Sequence, residues 1–441
     1  MLVVFVLVAI GMCSCKNDKS ITVYDVDGNN VTDIEWEYDF SNKDMAYCDI
    51  ALSESVDILS KKLELSETKA KKLIYDDGYK IYTYYDKTAQ EALIETCEKN
   101  SEQFSCSAAV TDLEGKLVAA YGYSKERNIE MNMALHAVPP YSTIKPLSVY
   151  SQAFERKLIH WSSVYEDSAY KHVINSNGEE RPWPSNASGQ YSGQPVTVYE
   201  GLKKSLNTVA VKCLSKVGVD ESIEFLEKNF AISLFQEKYL STLNGEEDVI
   251  GNISMGYLQE GFTPVELAGY YQIFANGGLY EKPSAVYKIC DSEDNIIYER
   301  EYSPKQVISV ETADIMNKMM QGVIKTGGTG FEAYTEGIEI AGKTGTGDNV
   351  NDSWFVGVTP EYSCAVWHGE NYINVTSELY SNIIEKIYAK NQALEKAFNI
   401  KTQLEQKVFC EESGKLISPT CTLIQVGYYF PGTDVGVCEG H

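Results

Sequence analysis

Apolar and polar positions alternate along the chain in periods that change near residue 105. Before that point, Ile21 to Tyr24 is strand-like and runs into the turn signal Asp27-Gly28-Asn29-Asn30. From Ala51 to Ile74 apolar residues recur at helical spacing among charged ones, with Ser66 and Glu67 placed to open a second helix. Tyr79 to Tyr85 is again strand-like, and Ala89 to Lys99 predicts a short amphipathic helix. Beyond Ser105 come two largely apolar runs, Cys106 to Val110 and Lys116 to Gly122. The five residues between them, Thr111 to Gly115, end on glycine, which predicts a β-hairpin with a longer loop.

Ser142 to about Leu158 is helical and largely apolar, and Ser162 to Pro195 is loop-rich, crowded with Ser, Asn, Gly and Pro. Helices are expected over Val198 to Val217, Glu221 to Asn229, Pro264 to about Asn276 and Thr312 to Ile324. Pro264 opens its helix and Gly277-Gly278 ends it. After the glycine-rich break Thr326 to Gly330, three strands follow closely: Ile338 to Thr346, Ser353 to Thr359 and Tyr362 to His368. Short turns between successive strands imply antiparallel pairing. The expected fold is therefore α+β, an antiparallel sheet flanked by helices. The expected divisions are an export signal or anchor at 1–15, a small N-terminal linker region at 16–104, the main domain at 105–395 and a tail at 396–441.

The apolar run Met1 to Met12 is too short to span a bilayer and reads as the core of an export signal, with no Lys or Arg before it. It is followed by Cys13 and Cys15, and Cys15 after Ser14 is the better lipoprotein acceptor. A longer membrane segment whose true start lies before Met1 is a second reading and a buried N-terminal strand a third; the first two place the protein outside the cytoplasm on a membrane anchor. The chain of 441 residues has a formal net charge of -25, which argues against nucleic-acid binding and against docking on anionic lipid. Eleven cysteines contain no CxxC pair and there are only five histidines, so no metal or cofactor is expected. Cys410, Cys421 and Cys438 fall together in the tail, where one bridge would leave a third thiol over.

Candidate chemistry begins at Ser142-Thr143-Ile144-Lys145. On a helical turn, residues three apart share a face, and a lysine whose pKa is lowered by apolar surroundings can take a proton from a serine. Pro139, Pro140, Pro146, Leu147, Val149 and Tyr150 supply such surroundings. About two or three such tetrapeptides are expected by chance in a chain of this length. The other two are Ser66 to Lys69, in a charged helix, and Ser168 to Lys171, next to Glu166 and Asp167. Neither setting would depress a lysine pKa. Ser205-Leu206-Asn207 lies within a predicted amphipathic helix. Lys343-Thr344-Gly345-Thr346 lies on a predicted strand, where glycine permits close approach and lysine with two hydroxyls can clamp a carboxylate. Lys325-Thr326-Gly327 repeats the letters but closes a helix, so the strand context selects Lys343.

These three elements, in this order, resemble the S-x-x-K, S-D-N and K-T-G elements of penicillin-binding proteins and class A β-lactamases. The middle one matches in its first and third letters only. The resemblance extends over Gly201 to Val217, Gly256 to Gly278, Ile340 to Pro360 and the tail around Ser413 to Leu416, Pro431 to Thr433 and Cys438 to His441. Ile81 to Asp86 resembles the segment leading into the transpeptidase domain of the bifunctional, class A members. Most of residues 80 to 441 is covered.

The resemblance implies that Ser142 is acylated with Lys145 as base. It implies that Ser205 and Asn207 relay protons and hold the substrate amide, and that Lys343, Thr344 and Thr346 bind the carboxylate of a D-alanyl-D-alanine stem peptide. Gly345 belongs to the same substrate-binding strand. Backbone N–H groups of Ser142 and Thr346 would form the oxyanion hole. Peptidoglycan stem peptides and β-lactams are the implied ligands. Two departures stand out. Roughly 90 residues separate the export segment from the hairpin, too few for the family's glycosyltransferase domain, so a separate glycosyltransferase is an expected partner. Tyr141 stands where the family usually has glycine. Hydrolytic outcomes (a D,D-carboxypeptidase or β-lactamase) and a β-lactam or muropeptide sensor are the alternatives to a transpeptidase.

Overall fold

A computed structural model describes residues 21–31, 45–101, 105–123, 132–174, 177–234, 236–238, 246–347, 352–369 and 375–440. The expected export segment lies outside them. Among the described residues no helix is long and apolar enough to cross a membrane.

The core is a five-stranded antiparallel sheet of β1 (Cys106–Asp112), β2 (Leu117–Tyr123), β3 (Ala341–Thr346), β4 (Asp352–Val358) and β5 (Tyr362–Gly369). Its order is β3-β4-β5-β1-β2, so the hairpin predicted at 106–122 joins the three late strands through β5. Both faces are covered, and successive side chains of β4 show it. Phe355 meets Tyr380 at 4.7 Å between ring centroids, while Trp354 donates from Nε1 to the Pro139 carbonyl on the opposite face. The flanking helices are α1 (Lys87–Ser101), α2 (Val198–Lys203), α3 (Asn207–Val217), α4 (Pro264–Tyr271), α5 (Val310–Ile324) and α6 (Val375–Lys390). The α+β architecture expected from the sequence is the one observed.

Two helices expected as single rods are broken. The run after Ser142 begins as a 3-10 turn (Tyr141–Ile144), widens to a π-turn (Pro146–Tyr150) and becomes α-helical only at Ser151–Glu155. Pro146 has no N–H to continue the ladder. The helix expected over 198–217 divides into α2 and α3, because Ser205 adopts a left-handed φ of 58° and Leu206 is extended. The helix opened by Pro264 carries a full capping box between Thr263 and Glu266 and ends in a 3-10 turn, Gln272–Phe274, before two left-handed glycines. The loop-rich stretch hides two short antiparallel pairs, Val164–Glu166 with Pro195–Thr197 and Lys171–Ile174 with Glu180–Trp183.

The strands before residue 105 do not stand apart. Thr22–Tyr24 pairs with Lys80–Thr83, which in turn pairs with Val286–Cys290, making a second sheet with later chain. In the tail, Glu405–Cys410 and Ile424–Tyr429 form a hairpin seated on the segment that follows Ser151–Glu155. The Tyr429 hydroxyl donates to Ser162 Oγ at 2.9 Å, and the Trp161 ring lies 5.2 Å from that of Tyr428. None of the described cysteines is disulfide-bonded.

β2 is an edge strand, and α1 closes it. The buried Gln90 side chain donates from Nε2 to the Ala120 carbonyl and accepts from the Ala120 N–H, both at 3.0 Å, so it acts as one more strand rung. Gln90→Leu strands both backbone groups in the core. Urea unfolding should show a loss of about 2 kcal/mol or more.

Candidate active site

The Ser142 turn is held by its carbonyls. Trp354 Nε1 donates to Pro139 O at 3.0 Å, Thr143 Oγ1 to Pro140 O at 2.7 Å, and the buried Tyr271 hydroxyl to Thr143 O. β3 runs directly against this turn, and a Cβ on Gly345 would lie 2.7 Å from Pro140 O. Glycine is therefore what lets the Ser142 turn and the Lys343 strand touch.

Tyr141 has a left-handed φ of 48°, a conformation that costs a residue with a Cβ about 1–2 kcal/mol. That geometry explains why glycine suits the position. Here the strain is offset locally: Tyr141 N–H donates to Gly256 O at 3.1 Å, its hydroxyl to Asp352 Oδ2 at 3.2 Å, and its ring meets Tyr257 edge-on. Gly347 gives the ring room, since a Cβ there would lie 2.7 Å from it. Tyr141 is not among the residues that line the cleft beside Ser142.

Lys145 follows Ser142 by one 3-10 turn and is fully buried. Its Nζ donates to Asn207 Oδ1 at 2.7 Å, Ser205 O at 2.9 Å and Ser205 Oγ at 3.4 Å. Lys343, equally buried on β3, donates to Ser205 Oγ at 2.8 Å and Thr344 O at 2.9 Å. Two lysine nitrogens thus converge on one hydroxyl, and all these partners are neutral oxygens. Burial pushes the Lys343 ammonium down to about 7. It also holds Lys145 well below the ordinary lysine range, with the charge of Lys343 adding to the effect.

The break between α2 and α3 creates this convergence. Ser205, expected inside a helix, sits instead on the left-handed residue between two helices, and that departure is what aims its Oγ at both lysines. Asn207 opens α3 and is fixed by Ser185 O, which accepts from its Nδ2 at 2.8 Å, and by Asn186 Oδ1, which accepts from its N–H at 2.9 Å.

Asn186 is held in turn by Asp167, which also takes hydrogen bonds from Thr208, Ser192 N–H and Ser192 Oγ. Burial raises the Asp167 carboxyl, but these four donors hold it below the usual carboxylate range. Asp167 and Asn186 escaped the sequence reading because their partners come from distant positions and share no motif. The competing tetrapeptides are placed differently. Ser66 and Lys69 are exposed, neither Ser168 nor Lys171 is buried, and Lys325 to Gly327 is exposed at the end of α5.

Ser142, Ser205, Asn207, Thr344 and Thr346 line one cleft of about 860 Å³, together with Arg181, Trp183 and Lys204. Lys145, Lys343 and Gly345 stand behind that wall. Among its described lining residues there is no Asp or Glu. The arrangement offers a serine hydroxyl, amines poised to accept protons and a cationic surround for an anionic ligand.

The frame around this cleft has the fold of solved penicillin-binding transpeptidase domains. The D,D-transpeptidase domain of a peptidoglycan glycosyltransferase from Eggerthella lenta is similar with a TM-score of 0.63 at 17% identity, covering 85% of this chain and 99% of that one. PonA1 from Mycobacterium tuberculosis, solved in complex with penicillin V, gives 0.62 at 20% identity, covering 79% of this chain and 94% of that one. Residues 98–388 match the penicillin binding protein transpeptidase domain family, and the chain belongs to that family. Penicillin-binding protein 1A of Clostridium botulinum is 30% identical over 333 residues, covering 72% of this chain and 39% of the relative. The chain thus spans about two fifths of the length of that relative, over its transpeptidase region.

The lowered Lys343 pKa has a consequence for stability. Between about 7 and the ordinary 10.5, the unfolded chain holds a proton on this lysine that the folded chain does not. Falling pH therefore favours unfolding across that window, and the cost is complete below it. Lys343→Met removes the cost. In urea melts the variant's stability relative to the native chain should be higher near pH 6 than near pH 10.

Proposed function

We propose that the chain is a peptidoglycan D,D-transpeptidase that forms an acyl-enzyme on Ser142 with D-Ala-D-Ala stem peptides and is acylated in the same way by β-lactams. The observation that carries this reading is Lys145: a fully buried amine one turn after Ser142, its charged form disfavoured, held by Asn207 and Ser205. Lys145 takes the Ser142 proton as Oγ attacks the penultimate D-alanine carbonyl. Backbone N–H groups of Ser142 and Thr346 stabilise the oxyanion. Ser205, bridged to both lysines, returns a proton to the leaving D-alanine amine, and Asn207 holds the substrate amide. Lys343, Thr344 and Thr346 bind the terminal carboxylate, with Gly345 keeping their strand close to Ser142. An amine of a second stem peptide then resolves the ester.

Transfer rather than rapid hydrolysis is the reading that the match to a transpeptidase domain over residues 98–388 supports. Attachment to the outer face of the cell membrane would fall to the apolar N-terminal run Met1 to Met12. The complex of the similarly folded PonA1 with penicillin V supports the expectation of β-lactam binding.

Fluorescent penicillin should label the native chain in a band that resists boiling, and Ser142→Ala should abolish it; labelling of that variant would remove the assignment. Lys145→Ala should slow acylation by about 10²–10⁴-fold. With a D-Ala-D-Ala peptide, an added amine acceptor should divert product from hydrolysis to transfer. A label that forms and decays within seconds would make the enzyme a hydrolase instead.

The acylation rate should rise with pH as Lys145 loses its proton. The Lys343 charge helps depress Lys145, so Lys343→Ala should move the midpoint of that rise to higher pH, whatever its effect on the maximal rate. Stopped-flow acylation across pH measures the shift.

A further inference from the structure

Three thiols that are far apart in sequence meet in the tail. The Sγ atoms of Cys410, Cys421 and Cys438 all lie within 4.8 Å of one another, with Cys410 and Cys438 buried and Cys421 half-buried. We propose that these three cysteines bind one zinc ion as thiolates, forming a structural metal site whose ligands do not line the Ser142 cleft.

The absence of a CxxC pair, which argued against zinc, concerned sequence neighbours only. The fold gathers the ligands from three separate segments that meet at Leu416. Leu416 bridges both Phe409 and Val437; Cys410 N–H donates to Lys415 O and Cys438 N–H to Leu416 O, each at 2.8 Å. Gly414, with a left-handed φ of 69°, turns the chain back beneath Cys410. Ser418 N–H donates to Cys421 Sγ at 3.3 Å, the kind of outer-shell bond that orients a ligating thiolate. A tetrahedral zinc with Zn–S bonds of about 2.3 Å sets its sulfurs about 3.8 Å apart, within the spacing found here. A disulfide would use two of the three thiols and leave one over. A metal uses all three. The clip would close the loop from Cys410 to Cys438 in a segment whose own core is small.

The test uses the full chain, purified under reducing conditions, equilibrated with micromolar zinc and desalted. Elemental analysis should find one zinc per chain, released on thiol modification. Cys410→Ser, Cys421→Ser and Cys438→Ser should each bind zinc at least tenfold more weakly. Because a variant can fail to fold, the native chain is also titrated with Co²⁺, which should give a thiolate-to-metal charge-transfer band saturating at one ion per chain. A zinc-free chain with no such band overturns the proposal, as does a mass two hydrogens lighter with a disulfide mapped between two of these residues. Penicillin labelling is scored in parallel, so loss of the metal result and loss of the acyl-enzyme are read separately.

Discussion

Everything at the cleft depends on the withdrawal of two lysine side chains from water. An ammonium group buried without a carboxylate is costly, and Lys145 and Lys343 share the same small volume around Ser205 Oγ. The protein lowers the cost by holding both lysines below their ordinary pKa and by giving each nitrogen carbonyl and hydroxyl acceptors. The surrounding packing is what keeps water out: the Ser142 turn pressed on Gly345, Trp354 beneath Pro139, and Tyr271 under Thr143. Loosening any of these contacts would rehydrate the amines and raise their pKa back toward the ordinary lysine range.

The supporting architecture follows from that demand. Ser205 must face both lysines from a left-handed residue, so one helix is divided into α2 and α3. Asn207 must hold its amide at a fixed angle, and a chain of hydrogen bonds through Asn186 to Asp167 fixes it. An acidic group in the loop-rich stretch thus serves geometry, holding Asn207 through Asn186.

The sheet, its hairpin and the helices covering it were legible because each announces itself locally, through alternation, caps and glycines. Ser142, Lys145 and Lys343 were legible as residue types in suitable settings. The position of Ser205 was not: its local sequence has helical periodicity, and only tertiary contact imposes the break. Asp167 and Asn186 carry no signal at all in one dimension, since their meaning lies in partners 19 to 41 positions away. The three tail cysteines failed for the same reason. Their spacing looks arbitrary until Leu416 brings their segments together.

The Gln90 contact gives the sheet a direction. An open sheet has two edges at which an extended chain could add itself as another strand. At β2 that edge is already occupied, because the Gln90 amide imitates a neighbouring backbone. At β3, the other end of the sheet, Thr344 and Thr346 border the cleft, and the Lys343 amine takes the Thr344 carbonyl. Under the function proposed above, an extended peptide would meet the sheet at β3 rather than at β2, alongside the Ser142 turn.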